Sequence, residues 1–224
     1  MINKQLLTFL KGIKAHNEQV WYEAHKVEYQ ALRAEFTAWL GSLQTEIAKF
    51  DPAIATALKK GKKTLKVFRI HRDARFSHDK TKYKTNISGY ISADVTSDFE
   101  PVYYVSIEPG NSFIGGGLHT PERQFLGVIR DAIQAKPQAL KKIETHPEFK
   151  ATFPDLIDRS SSLKTAPRGF DTTDPAIDYL RLQSFTAHKK LADKELANES
   201  LRTDIAAAWK TLLPLNHFLR SVKR

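Results

Sequence analysis

The chain contains no cysteine. That absence excludes disulfide staples, thiolate nucleophiles and thiolate metal sites together, and it fits a reducing, cytoplasmic setting. Long apolar runs are missing too. No stretch approaches the roughly 20 apolar residues of a membrane-spanning helix, so no membrane partner is expected. The first residues, MINKQLLTFLKGIKAHNE, lack an apolar core long enough for a secretory leader. The eight histidines, at 16, 25, 71, 78, 119, 146, 188 and 217, show no HxxxH-type spacing, so neither a metal nor a cofactor is implied. There is also no internal repeat, low-complexity tract or flexible linker. With 224 residues, 41% of them hydrophobic, a single domain over 1–224 is expected. A chain this long buries on the order of 70% of its unfolded surface and needs no staple.

What the chain has in excess is positive charge in one place. Lys59 to Lys84 reads KKGKKTLKVFRIHRDARFSHDKTKYK, with eleven Lys or Arg against Asp73 and Asp79. The segment is therefore +9 in a protein whose formal net charge is +10, and the remainder is close to neutral. Like charges packed so closely repel one another unless an anionic partner offsets them.

Around this segment the periodicities describe an α+β fold. Leu6, Leu7, Phe9, Leu10 and Ile13 give a short amphipathic helix over Gln5 to Lys14. Asn17 reads as the N-cap of a second helix, Glu18 to about Lys49. In it Val20, Ala24, Val27, Ala31 and Ala34 form a stripe that Leu32, Phe36, Leu40, Leu43 and Ile47 continue. Gly41 is the one place it could kink. Trp21, His25 and Tyr29 share a face, read as core packing in preference to a stacking edge. Phe50-Asp51-Pro52 ends the helix.

Leu65 to Ile70 reads as a strand. Arg69, Arg72 and Arg75 cannot all share a face there, which requires a bulge or an inward arginine paired with Asp73 or Glu108. A long loop over Asp73 to Asn86 follows. Ile87 to Val95 and Val102 to Glu108 alternate as half-buried strands, and Gly115-Gly116-Gly117 reads as a turn into a helix capped by Thr120 with Pro121 at its first position. Arg159 to Thr173 reads as irregular, Ala176 to Leu182 as a helix, and Ser184 to His188 as an edge strand. Asp193 to Leu213 is helical, ended or kinked by Pro214. The expected architecture is α+β: a central antiparallel sheet from the middle of the chain, packed by N- and C-terminal helices.

Four blocks carry a family resemblance: HNEQVWYEAHKVEY (His16 to Tyr29), FRIHRDARFSHDKTKYKT (Phe68 to Thr85), EPGNSFIGGGL (Glu108 to Leu118) and APRGFDTTDPAIDYLRLQSF (Ala166 to Phe185). In this order they resemble the conserved-protein family called domain of unknown function 2461, found in bacteria and fungi. The resemblance spans almost the whole chain. It implies a shared fold and a site location, and it carries no reaction.

The residues themselves point to an anion site. Arg69, Arg72 and Arg75 offer bidentate forks to phosphate, Lys80 and Lys84 act as point charges, and Tyr83 could stack on a base. Gly115, Gly116 and Gly117 could bring backbone amides to a phosphate, although no Lys-Ser or Lys-Thr follows them as in a phosphate-binding loop. Arg168 could close the site from the last block, while Asp178 and Arg181 read as a local helix pair. For catalysis the candidates are Asp79, Tyr83 and Glu108. Ser77-His78-Asp79 has the residue types of a triad, but adjacency is not triad geometry. The expected function is binding of a phosphorylated small molecule or nucleotide through the Arg/Lys-rich loop and the Gly-rich turn, with turnover left open. The alternatives are a nucleic-acid-binding module using the same cations, and a protein-interaction scaffold without catalysis. Ligand identity and oligomeric state are not encoded in any motif.

Overall fold

The computed structural model describes residues 1–73, 81–154 and 157–222. The chain opens with helices α1 (Lys4–Ala15), α2 (Gln19–Ile47) and α3 (Pro52–Lys59). Strands β1 (Leu65–Val67), β2 (Ile87–Ile91), β3 (Val102–Ile107) and β4 (Ser112–Leu118) follow. Then come α4 (Arg123–Ala135), α5 (Ala139–Thr145), α6 (Pro147–Thr152) and α7 (Ile177–Leu180), strand β5 (Phe185–Leu191), and helices α8 (Asp193–Leu196) and α9 (Leu201–Ser221). The described strands form one antiparallel sheet in the order β1-β2-β3-β4-β5. The α+β architecture follows from the alternation in the strands, since every second residue must find cover.

That cover comes from α2 and α9. Leu40 of α2 lies against Gly89, and Leu212 of α9 against Gly116. A Cβ on Gly89 would meet Leu40 Cδ2 at 2.7 Å, and one on Gly116 would meet Leu212 Cδ1 at 2.8 Å. Glycine at these positions lets a helix approach the sheet backbone. Buried Tyr103 donates from its hydroxyl to Asp51 (2.8 Å), which also caps α3 through Ala53 N and pairs with Arg220 of α9 (2.8 Å). One carboxylate thus ties the sheet to the helices at both ends of the chain. The buried apolar residues form one continuous cluster.

Several local expectations resolve differently. The apolar stripe of α2 is split: Tyr22, Tyr29, Leu32, Phe36, Leu40, Leu43 and Ile47 are buried, whereas Val20 and Val27 are 81% exposed. Burying large rings removes more surface from water than burying alanine and valine, and it sets the rotation of the helix. The helix passes Gly41 without a break. Asn17 does not cap it; its amide instead donates to Tyr83 O and accepts from Tyr83 N, both at 3.0 Å, pairing with an extended segment as a strand would. Trp21 and His25 stack at 3.9 Å and Tyr29 packs on Phe9, in keeping with the core reading.

Helix α4 starts at Arg123 rather than beside Thr120, which adopts φ 45° with its amide on the Ser184 hydroxyl. Helix α9 continues through Pro214 to Ser221. Pro214 and Lys210, whose carbonyl loses its partner there, both lie on the exposed side.

Candidate functional site

No described helix covers the second face of the sheet. The register lines up one residue from each strand across it: Lys66, Tyr90, Tyr104, Gly115 and His188. Phe68 joins them, its ring 5.7 Å from Tyr90 and 6.4 Å from Tyr104, and Phe113 lies 5.5 Å from Tyr104 and 6.0 Å from His188. Gly115 falls between Tyr104 and His188, so the row shows bare backbone there, with Ala187 O and His188 Cβ closed in on the place of the missing Cβ. Over this row opens a cleft of about 540 Å³, lined by the rings, Gly115–Gly117, Asp98 and Glu100 from the β2–β3 connection, and His119, Asp158 and His188. That volume lies within the range of small-molecule sites.

Both edges of the face carry cations, Lys66 on β1 and the exposed Lys190 beside His188 on β5, but only the β5 edge brings a carboxylate from beside it into the cleft. On the β1 side, Lys66 Nζ lies 6.0 Å from the Phe68 ring centre and 5.9 Å from that of Tyr90, and Lys84 Nζ lies 5.1 Å from that of Phe68. Burial, then the charges of Arg69 and Arg72, hold the Lys84 ammonium below its usual pKa. A cation whose charge is opposed in this way gains from an anion brought beside it. On the β5 side, Asp158 is fixed by the backbone amide (2.8 Å) and hydroxyl (3.0 Å) of Ser160. The amide bond is the main cause of its lowered pKa, to which His188 and His119 add against the effect of burial. Burial raises Tyr90, with the Asp98 charge adding to it, and burial raises Glu100 against its pairing with Arg220.

The sequence candidates fall into distinct groups. Gly115, Gly116 and Gly117 are not a turn: they are the interior of β4, paired with β3 on one side and β5 on the other. The sheet ladder engages this stretch, so the glycines offer a floor rather than an anion-binding nest. Their missing side chains also let neighbouring carbonyls close in, since Cβ atoms there would meet Ala187 O, Val102 O and Phe185 O at 2.5, 2.4 and 2.0 Å.

Tyr83 is 3% exposed and stacks on Tyr22 at 4.5 Å, inside the core. Arg69 is exposed, and Arg72 donates to Thr81 Oγ1 (2.6 Å). Regular strand geometry ends at Val67 and pairing resumes at the His71–Tyr83 bridge, so an irregular stretch lies between Arg69 and Arg72. Glu108 accepts from Thr85 (2.5 Å) and Asn111 (3.1 Å) beside the β3–β4 turn. Arg168 is exposed in the segment between Ile157 and α7 and does not line the cleft. Asp178 and Arg181 stand 3.9 Å apart as a local pair. Arg75, Asp79 and Lys80, with Ser77 and His78, lie outside the described residues.

Residues 5–218 match the profile of the conserved hypothetical protein family DUF2461. The chain belongs to that family. The match takes in β1 to β5, α2 and all but the last three residues of α9, so the DUF2461 region includes the whole cleft. No curated protein and no solved structure matches the chain. Among the described residues, no helix is long and apolar enough to cross a membrane, and no group of three or more His, Cys, Asp or Glu could hold a metal ion.

The residues that shape this DUF2461 cleft were mostly missed from sequence. Tyr90 and Tyr104 belong to the polar phase of two alternating strands, and large rings in that phase were the available signal. His119, Asp158 and His188 meet only through tertiary structure, from separate parts of the chain.

Proposed function

We propose that this protein binds a phosphorylated small molecule containing a planar ring, with nucleotides the leading class. The observation that carries this reading is the row Lys66, Tyr90, Tyr104, Gly115 and His188, rings with cations at the margin and bare backbone at Gly115. Ring faces stack on planar ligands, while Lys66, Lys84 and the exposed Arg69 supply charge for a phosphate. The cysteine-free sequence supports a cytoplasmic setting for it.

The test is a thermal-shift and calorimetric titration of the protein with nucleoside monophosphates and phenyl phosphate at low salt. A ligand at a hundredfold excess over its Kd stabilises the fold by about 2.7 kcal/mol. Tyr104→Ala and Lys84→Met are each expected to weaken binding at least tenfold. Stabilisation by none of these compounds would remove the reading.

A second reading, single-stranded nucleic acid lying across the sheet, is favoured by the rings being displayed on three successive strands, Tyr90 on β2, Tyr104 on β3 and Phe113 on β4. Open sheets that display aromatic side chains are a recurrent platform for unstacked bases. This reading predicts oligonucleotide affinity that grows with length and falls steeply between 50 and 200 mM salt. A single nucleotide binding as tightly as a decamer would exclude it.

A further inference from the structure

The two margins of the cleft face are chemically unlike, Lys66 and Lys84 flanking the cleft without lining it while His119, Asp158 and His188 line it, and the difference specifies how a ligand lies there. Lys66 and His188 occupy the same row, four strand spacings apart, a span of about 19 Å between backbones. Lys66 leans inward, its Nζ 5.9 Å from the centre of the Tyr90 ring on the next strand. At the β5 end, three side chains reach the cleft from separate chain segments: His119 just after β4, Asp158 beside β5, and His188 on β5.

Each is positioned by the fold. Ile157 bridges Ala187, and the Asp158 amide donates to Thr186 O (2.7 Å), which places Asp158 along the strand between the levels of His119 and His188. His119 precedes Thr120, which is held at φ 45° by the buried Ser184 hydroxyl. A β-branched residue in that region is strained, and the surrounding contacts must enforce it. His188 stands next to Gly115, with Phe113 behind it. Asp98 and Glu100 line the cleft from the β2–β3 connection, Asp98 with its charge acting on Tyr90 and Glu100 with its carboxylate engaged by Arg220.

We infer that His119, Asp158 and His188 form a subsite for the hydroxyl- and amine-bearing end of the ligand, and that the ligand class is the nucleoside monophosphates. A carboxylate accepts hydrogen bonds and repels phosphate, whereas imidazole both donates and accepts. This end therefore suits sugar hydroxyls and exocyclic amines, and the phosphate is left to Lys66 and Lys84 at the opposite edge. The inference rests on the proposed ring-phosphate site and adds its polarity.

Calorimetry with the full-length protein tests it, using AMP and CMP against phenyl phosphate, ribose 5-phosphate and adenosine. The nucleoside monophosphates are expected to bind at least tenfold tighter than any of the three partial probes. Asp158→Asn and His188→Gln should each bring the AMP-to-phenyl-phosphate affinity ratio down toward one. His188→Gln leaves the Ser160 turn intact, so it stays informative if the Asp158 variant misfolds. Lys84→Met should weaken AMP and phenyl phosphate by the same factor. Equal affinity for AMP and phenyl phosphate in the unaltered protein would overturn the polarity, while the ring-phosphate site itself would stand. Ribose 5-phosphate matching AMP would overturn the ligand class. Failure of every phosphorylated probe to bind would overturn both readings.

Discussion

Tyr103 and Tyr104 are neighbours in β3, yet they live on opposite faces of one sheet under opposite rules. Tyr103 is fully buried, and its hydroxyl is committed to Asp51, which holds Arg220 in turn. Tyr104 is half-buried among Phe68, Phe113 and Gly115, on a face that no described helix closes. On the core face Leu40 and Leu212 close on Gly89 and Gly116 and Trp209 packs beside Tyr103, whereas over the other opens a cleft of ligand size. Folding requires the first arrangement. Large rings left half-buried on the second contribute less to folding than the same rings would in the core, and that makes it the face to test for binding.

The sharpest break in this comparison is Asp51→Ala. It leaves the Arg220 guanidinium, which is 15% exposed, with Glu100 as its remaining carboxylate, and removes the acceptor of the Tyr103 hydroxyl. Removing one partner of a buried ion pair costs about 3–5 kcal/mol. Chemical denaturation should show that loss, and a change under 1 kcal/mol would mean the cluster contributes little to holding the sheet.

Next in size is Gly116→Val. Its Cβ would meet Val102 O at 2.4 Å and Leu212 Cδ1 at 2.8 Å, so a helix and a strand must both give way. Overpacking of this kind costs about 1–3 kcal/mol, or roughly 2–12 °C in Tm for a chain of this size. Unchanged melting would show that α9 sits further from β4 than these contacts require.

How much of this was legible depends on which kind of signal carried it. Helix α1, the long helix α2 and the strands β2, β3 and β5 follow from apolar periods of 3.6 and 2, which one segment displays by itself. The triple glycine defeated that approach, because glycine enters a turn and a tightly approached strand for the same steric reason; only the partners β3 and β5 decide between them. Asn17 and Thr120 were read as helix caps from local chemistry, but Tyr83 and Ser184, each more than sixty residues away, claim them. For the site, the charge of the middle segment was visible and the cleft was not. A cleft is a property of a register, and no single strand announces it.

A smaller effect links the two faces through Glu144. Its carboxylate accepts from Arg159 (2.7 Å), Tyr179 (2.6 Å) and the amide of Ile157 (3.0 Å), which anchors the stretch that delivers Asp158 to the cleft. Burial alone would raise its pKa, but these bonds together outweigh burial and the net shift is downward. A carboxyl whose folded pKa lies below its unfolded value contributes stability above about pH 4.3. That contribution is lost as pH falls through the folded value, with a slope of at most about 1.4 kcal/mol per unit. Glu144→Gln should therefore flatten the acid limb of the stability profile relative to the unaltered protein. An identical limb in the variant would place the acid sensitivity elsewhere.

The smallest expected change in stability belongs to Tyr104→Ser. The ring contacts it loses, with Phe68 and Phe113, are worth about 0.5–1.5 kcal/mol per pair in well-packed settings. On a face open to water the total should fall below about 1 kcal/mol, since the unfolded chain solvates the same ring edges. A loss nearer the 3–5 kcal/mol of a buried cluster would show that the second face is packed for stability after all. A small loss in Tm joined to a tenfold loss of nucleotide affinity would separate the two tyrosines by role, one holding the sheet and the other using it.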